Sequence, residues 1–386
     1  MKYTHYYKQD QKFEEDYWGD YYHEPWLSYT DDASKDVNYN KSEEDINRRK
    51  RRFPLTFEIQ SNGTLYWKAT STALTRTIEY SKNSGETWTQ VTSTTGGTAI
   101  SVQSGETLIW RGENDNYGSS SARNWFSGST CQFRIGGNIM SLINPTDFID
   151  LLKFPDGTTH NFSQIFRYAT GVTDAKDLIL PATALTTGCY SAMFAGDYRL
   201  TGIPELPATI LAPNCYENMF GSCSSVTETV ELKAQIMQKE CYRSMFAGTS
   251  VTTAPELPST SLAQACYYDM FYNCRQLVTG PSILPATTLY GDCYTQMFYT
   301  CLKLEHAPIL PAPDISVFHC YALMFPNCKK LTYLKCLAET GINTASCMDW
   351  LTYASDTGTF VKHPNATWSR GTSGIPTGWT VEDAVI

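Results

Sequence analysis

One hexapeptide dominates the pattern of hydrophobic and polar positions along this chain. Its outer four positions are always Cys, Tyr, Met and Phe, and its two inner positions differ from copy to copy. The six copies begin at Cys189, Cys215, Cys241, Cys266, Cys293 and Cys320, with steps of 26, 26, 25, 27 and 27 residues. Self-similarity at a nearly fixed period of this size predicts an array of stacked structural units.

The hexapeptide has the periodicity of a short amphipathic helix. At 100° per residue the four constant positions share one broad face, and the two variable residues point away from it. Gly or Asn stands two places after Phe in four of the six copies and suits the left-handed residue that ends a helix. We therefore predict that each hexapeptide forms a helix of about two turns.

A second motif, centred on a Leu, precedes each predicted helix. "LPAT" or "LPST" begins at Leu180, Leu206, Leu257 and Leu284, and degenerate versions begin at Leu232 and Leu310. A short segment such as "VTETVEL" at Val226 comes before it. Because Pro lacks an N–H donor, it ends a strand. Each unit is therefore predicted to contain a short strand, a Pro turn and a short helix, with strands of successive units paired in parallel.

The two motifs at a constant offset resemble the BspA-like leucine-rich repeat, a family of Bacteroidales and of the phages that infect them. The resemblance runs from about Asn161 to Leu351 and implies a solenoid over residues 146–345. "NFSQIF" at Asn161 and "CMDWLT" at Cys347 resemble worn terminal copies. The sequence departs from the pattern at Asp197 and Thr249, where a second Cys of the unit is missing.

Residues 1–52 differ in composition from the rest of the chain. They contain eight Tyr and two Trp, with interspersed acidic residues, and they end in the basic run "RRKRR". Aliphatic residues are nearly absent, so the segment cannot build its own core. A solvated tail is one interpretation. We favour an extended arm that binds a partner, because Tyr and Trp are preferred interface anchors. The candidate partner-binding residues are Tyr6, Tyr7, Trp18, Tyr21, Tyr22 and Trp26.

Residues 53–145 alternate apolar and polar positions in short runs such as "TLYWKA" and "ETLIW", separated by Asn, Ser and Gly. This pattern predicts a β-sandwich. Residues 346–386 contain three Trp and are predicted to cap the last repeat. The expected fold class is thus multidomain: an extended N-terminal arm, a β-sandwich, then a solenoid of short strands and short helices with its cap.

The net charge and the distribution of apolar residues limit the possible classes of function. The chain has 386 residues and a net charge of −9, which argues against a nucleic-acid binder because such proteins need a basic surface. Its first twenty residues lack the apolar run of about 7 to 15 residues that marks a signal peptide. No stretch reaches the roughly 18 apolar residues of a membrane span. We expect folding in a cytosol, without membrane insertion.

The thirteen cysteines are predicted to be structural thiols. Six begin the hexapeptides, and Cys223, Cys274, Cys301 and Cys328 lie eight residues after four of these. Such positions form an inward ladder, where free Cys behaves as a small apolar residue. Zinc is the alternative, but there is no C-x-x-C pair or nearby His pattern. No metal site or cofactor is expected.

Three glutamates form a predicted ligand-binding row. Glu205, Glu231 and Glu256 each stand one place before the Leu of the second motif, so strands in register would align them. Like charges directly opposite are destabilising. The row must therefore be solvated or must hold a cation such as calcium. The next equivalent positions, Ile283 and Ile309, are apolar, which makes this surface a candidate docking face.

No catalytic motif is present. The chain lacks G-x-S-x-G, H-E-x-x-H, a Walker loop and a G-x-G-x-x-G after a strand, and its six histidines are scattered. We therefore expect a protein that is not an enzyme.

Three non-enzymatic functions remain: a phage virion protein, a bacterial surface adhesin and an intracellular scaffold. An adhesin must cross a membrane, so the missing signal peptide favours the virion protein, a head or tail fibre or decoration assembled in the host cytoplasm. The resemblance implies the same class. Its expected partners are other virion proteins bound by the arm, further copies of itself, and a host-surface glycan or protein.

Overall fold

The computed structural model describes Arg48 and residues 50–385, which belong to one compact unit of the chain. It has nearly no helix, and 3-10 turns occur at Ile139–Leu142, Phe148–Asp150 and Ala345–Cys347. The strands are β1 (Thr56–Ile59), β2 (Gly63–Ala69), β3 (Thr77–Ser81), β4 (Thr89–Thr92), β5 (Thr98–Val102), β6 (Thr107–Gly112), β7 (Asn124–Phe126), β8 (Phe133–Asn138), β9 (Val172–Ile179), β10 (Tyr333–Cys336), β11 (Gly358–Lys362) and β12 (Trp379–Asp383).

The first nine strands build two sheets that face each other. One sheet has the order β4-β3-β6-β1-β8-β9, and the other has the order β5-β2-β7. Buried and less buried residues alternate along β2 and β6, as a strand with one face in a core requires. The rings of Phe57 in β1 and Phe126 in β7 lie 4.9 Å apart, so the two inner faces share one aromatic core.

The hexapeptides are not helices, and that part of the predicted fold class is wrong. The fourth residue of each copy has a positive φ between 50° and 56°, and left-handed residues also stand four places before and after it. An α-helix needs an unbroken run of right-handed residues. The constant residues repeat every four positions, a spacing that suits a chain of tight turns as well as one helix face. The six left-handed fourth residues are Ala192, Asn218, Ser244, Asp269, Gln296 and Leu323.

Backbone hydrogen bonds of this chain of turns alternate between local and inter-repeat partners. The N–H of Tyr190 donates to the carbonyl of Cys215 at 3.0 Å, and that of Phe194 donates to Met219 at 2.9 Å. Between them, the N–H of Met193 donates three residues back to Tyr190 at 3.2 Å. We call the segment from the residue before one hexapeptide Cys to the corresponding residue before the next a coil, and we number the coils 1 to 6 from Gly188. Each coil thus satisfies about every second N–H of its turns through the following coil.

The constant side chains form columns through the coils. The six Tyr rings stack with centroids 5.7–5.9 Å apart, and the six Phe rings stack at 5.5–5.9 Å. All thirteen cysteines are buried. The four cysteines that lie eight residues after a hexapeptide Cys donate S–H to Phe carbonyls of the preceding coil, as Cys223 does to Phe194 at 3.1 Å. The constant residues are therefore the core of the stack.

Atypical copies close both ends of the stack. Asn161 takes the place of Cys, because the N–H of Phe162 donates to the carbonyl of Cys189 at 2.8 Å. At the other end, the N–H of Tyr321 donates to Ser346 at 2.8 Å. The terminal copy is therefore one residue out of the predicted register, and Ser346 rather than Cys347 occupies the Cys place. Trp350 continues the Tyr column, 6.4 Å from Tyr321.

Sheet pairing links the stack to the strands on both sides. β9 pairs in parallel with β8, across the predicted boundary between residues 145 and 146, and Asp174 of β9 bridges Gly202 of coil 1. Beyond the stack, β10, β11 and β12 form a three-stranded parallel sheet. One continuous hydrophobic core therefore runs from the N-terminal sheets into the C-terminal cap. The fold is rich in strands and contains several sheets.

Candidate binding surface

The variable residues of the coils line one polar face of the stack. We define the variable face as the third and fourth residues of each hexapeptide together with the residue before its Cys. These residues lie in turns rather than in a helix, and most of them are half-buried, while the small residues Ala192 and Ala322 are buried. Thr295 departs from the predicted outward orientation: it is 3% exposed, and its hydroxyl donates to the carbonyl of His319 in the next coil.

Coils 2 and 3 are joined on this face by a carboxylate network. The side-chain amide of Asn214 donates to Glu217 Oε2 at 3.0 Å and to Glu240 Oε2 at 2.7 Å. The Arg243 guanidinium lies 4.0 Å and 3.9 Å from the other oxygens of these two carboxylates. Burial raises the pKa of Glu217, against the opposing effects of Asn214 and Arg243. The network fixes the side chains of two neighbouring coils.

Coils 3 to 5 continue the face with an aromatic group and a partly buried acid. The Arg243 guanidinium lies 5.2 Å from the centre of the Tyr268 ring, and Gln296 Nε2 donates to the Tyr268 hydroxyl at 3.4 Å. Within the described residues, Asp269 Oδ1 is buried without a hydrogen-bond partner. Burial raises the pKa of Asp269 to about 6, and Arg243 opposes this shift.

Coils 5 and 6 add an exposed aromatic side chain. His319 Nδ1 lies 3.6 Å from Asp292 Oδ1, and the Phe318 ring stacks on the His319 ring at 3.6 Å. Phe318 is 63% exposed. Charged and amide groups and the Tyr268 ring therefore lie on the variable face, with the Phe318 ring beside it, a composition suited to non-covalent recognition.

The cysteine thiols are poorly suited to nucleophilic chemistry. A reactive cysteine needs a stabilised thiolate in a partly exposed position. Here burial raises the pKa of Cys293 to about 12 and that of Cys274 to about 11. These thiols contribute to packing instead.

The predicted glutamate row is exposed and lies on three successive coils. The parallel bridge between Ile283 and Ile309 shows the register that relates equivalent residues of the row. Glu231 lies 3.5 Å from the ammonium of Lys233 in its own coil. Glu256 accepts hydrogen bonds from the N–H and hydroxyl of Ser282 at 3.1 Å and 2.8 Å. Two of the three carboxylates therefore have separate local partners.

No metal site is evident at the glutamate row. Among the residues that the structure describes, no group of three or more His, Cys, Asp or Glu side chains is arranged to hold a metal ion. The ligand-binding role of Glu205, Glu231 and Glu256 stays a prediction.

The predicted partner-binding residues of the arm, Tyr6, Tyr7, Trp18, Tyr21, Tyr22 and Trp26, lie outside the described residues. The basic run that follows them is partly described. Arg48 makes two parallel hydrogen bonds to Asp150, both 2.9 Å long, and Arg51 donates to the carbonyl of Ile149 at 3.0 Å. Part of "RRKRR" therefore packs against the turn around Ile149 and Asp150 of the same compact unit.

The sequence patterns did not reveal two acids whose pKa burial raises, Asp197 and Asp269. Asp197 is fully buried, and neither carboxylate oxygen has a hydrogen-bond partner among the described residues. It occupies the position that Cys223 and its equivalents fill in other coils, so the missing Cys was the available signal. Asp269 gave no signal, because any residue is allowed at its variable position.

No protein-family model matches the chain, and neither a curated protein nor a solved structure shows significant similarity to it. Among the described residues, no helix is long and apolar enough to cross a membrane.

Proposed function

We propose that this chain is a structural, non-enzymatic protein of a phage virion. In this proposal its repeats form a BspA-like leucine-rich-repeat solenoid, and residues 1–52 attach the protein to neighbouring virion proteins. The stack then displays its variable face to ligands on the host surface. The observation that carries the proposal is the division of each coil into constant buried residues and variable residues on one face.

Such a division suits display. The core columns hold every coil in the same backbone conformation, so side chains on the variable face can change without loss of packing. The network of Asn214, Glu217, Glu240 and Arg243 holds polar groups of two coils in fixed positions. Recognition surfaces gain affinity from such preorganisation, because fewer side chains lose freedom on binding.

The cysteines support folding in a reducing compartment. Four thiols donate S–H hydrogen bonds to main-chain carbonyls at 3.0–3.2 Å, a role that an oxidised sulfur could not fill. Virion proteins fold in the host cytosol, whereas a secreted adhesin matures in an oxidising compartment. This contrast favours the virion protein over the adhesin.

A census of purified particles by mass spectrometry tests the proposal, with the protein expected as a stoichiometric component. A chain of residues 48–386, which retains the compact unit, is then supplied during infection beside the full chain. We expect the full chain to join particles and the truncated chain not to do so. Absence from purified particles would contradict the virion assignment, and equal incorporation of both chains would show that residues 1–47 are not the attachment segment.

A further inference from the structure

One corner of the stack carries positive charges on three successive coils. It follows the chain of turns, nine or ten residues after the hexapeptide Cys. It consists of Arg275 in coil 4, Lys303 in coil 5, and Lys329 and Lys330 in coil 6, and all four side chains are exposed. We call these four residues the basic corner. The Phe rings of these coils are stacked 5.7 Å and 5.5 Å apart, so the charges occupy a short length of the stack.

Among the described residues, the cations of the basic corner have no carboxylate partner. Within the described part of the chain, no Asp or Glu oxygen lies within 4.0 Å of their charged nitrogens. Neutral groups position two of them: Arg275 Nε donates to Asn273 Oδ1 at 2.8 Å, and Lys303 Nζ donates to Gln276 Oε1 at 2.6 Å. Like charges held close together repel, so an anion at this corner would be favoured.

Tyrosine rings flank the basic corner. Tyr272 and Tyr299 stack on each other in coils 4 and 5 with centroids 5.2 Å apart. The ammonium of Lys329 lies 5.4 Å from the centre of the Tyr353 ring, which is 71% exposed. Cations beside exposed aromatic rings are enriched at recognition surfaces and gain from cation–π attraction.

We propose that the basic corner binds a linear anionic polysaccharide, with its acidic groups distributed along the coils. A ligand that repeats along its own length matches a surface that repeats from coil to coil. The inference rests on the proposed display function, because it names the class of host-surface ligand that the displayed stack would bind. Binding itself is a property of the folded chain and can be measured on purified protein.

Charge density favours a polysaccharide over a nucleic acid. Each strand of B-form DNA carries one charge per about 3.4 Å, which is denser than the coil spacing. The net charge of the whole chain is −9, and Glu205, Glu231 and Glu256 stand exposed on coils 1 to 3. A nucleic acid longer than the basic corner would be repelled by these exposed carboxylates. A polysaccharide with one acidic group per sugar has a lower charge density, closer to the spacing of the cations from coil to coil, and is repelled less.

The test uses the full chain and polygalacturonate as the probe, with neutral dextran as the reference polymer. Binding is measured by biolayer interferometry at low and high salt. The triple variant K303Q/K329Q/K330Q removes three cations from the corner. The matched control K153Q/K233Q/K239Q removes three exposed lysines that each lie near a carboxylate. At modest energies per exposed charge, the corner variant should weaken binding ~10-fold and the control less than ~2-fold.

The expected result is salt-sensitive binding of polygalacturonate, no binding of dextran, and selective loss in the corner variant. Unchanged thermal melting would show that the variants fold, since all six lysines are exposed. Equal loss in both variants, or no binding of polygalacturonate, would overturn the proposal. Tighter binding of oligo-dT or of polyglutamate would replace the ligand class with nucleic acid or acidic peptide. None of these results affects the particle census, so the two proposals fail separately.

Discussion

The N-terminal sheets and the coil stack place aromatic side chains in a core by different means. In the sheets, Phe57, Trp110 and Phe126 come from strands distant in sequence, and their rings meet at angles between 51° and 74°. In the stack, each ring meets the same residue of the next coil, within 1° to 23° of parallel. The sheets therefore depend on particular long-range partners, whereas the stack depends on identical neighbours.

The hydrogen bonds sharpen this contrast. Strand β1 pairs with β6 and β8, so its partners are fixed by the sheet order. Each coil instead obtains about half of its turn hydrogen bonds from the next coil. A single coil could not satisfy its own backbone, and an unpaired buried N–H is costly. Stability in the stack should therefore spread through nearest neighbours, as in other repeat proteins.

Removal of one ring from a column should have the largest effect. Phe298 is fully buried between Phe271 and Phe325, with ring centroids 5.7 Å and 5.5 Å away. Phe298→Ala should lower the free energy of unfolding by about 3–5 kcal/mol. The control Tyr299→Ala changes a half-buried ring and should cost ~1 kcal/mol. Urea denaturation followed by circular dichroism measures both, and equal losses would contradict nearest-neighbour stacking as the source of stability.

The buried acid should make the stability of the stack depend on pH. Burial raises the pKa of Asp197 well above its ordinary value of 3.8, and its neighbour at the next coil is the Cys223 thiol. A raised pKa gives stability that is complete below the unfolded value and is lost as pH rises toward the folded one. The loss should approach ~1.4 kcal/mol per pH unit above pH 4.

Asp197→Asn should remove this slope, because the amide does not ionise. Unfolding in urea at several pH values between 4 and 7 measures the effect. Asp314→Asn is the control with the opposite sign, since hydrogen bonds from Ser316 lower the pKa of that exposed carboxyl. An unchanged slope in Asp197→Asn would mean that the acid is solvated or paired in solution.

A glycine substitution separates a chain of turns from a helix. Ser244 has a φ of 53°, whereas Arg243 beside it has no positive φ. Ser244→Gly should be more stable than Ser244→Ala by ~1 kcal/mol, because only Gly adopts the left-handed region without strain. At Arg243 the order should reverse, with Gly less stable than Ala by ~0.5–1 kcal/mol. Thermal melting of the four variants measures both differences. A lower melting temperature for Gly than for Ala at both sites would favour a helix over a chain of turns.

The sequence predicted the stack and its core but not its local backbone. Period and constant residues identified Cys189, Tyr190, Met193 and Phe194 as buried, because burial depends on which residues recur. A face of four constant residues fits both a helix and a chain of turns. Hydrogen bonds to the next coil decide between these two backbone conformations. The residue pattern within one coil gives no information about those bonds.

The candidate surface was predictable only in part. Glu205 and its equivalents were correctly placed at exposed positions, because the Leu beside each of them is buried. The basic corner was not found, since its cations stand at either the ninth or the tenth position after Cys, and coils 2 and 3 have no cation at these positions. Only the turn geometry brings such positions to one corner.

Substitution of the glutamate row should have the smallest effect on stability. It tests whether exposed side chains, as well as the core columns, stabilise the stack. If stability resides in the columns, exposed side chains should contribute little. The triple variant Glu205→Gln, Glu231→Gln and Glu256→Gln should change the free energy of unfolding by less than ~0.5 kcal/mol per site, as exposed charges usually do. Loss of the Ser282 hydrogen bonds to Glu256 and relief of like-charge repulsion act in opposite directions. Melts with and without calcium, repeated on the unaltered chain, complete the test. A calcium-dependent rise in melting temperature that the triple variant loses would show that the row binds a cation and that this surface, too, stabilises the stack.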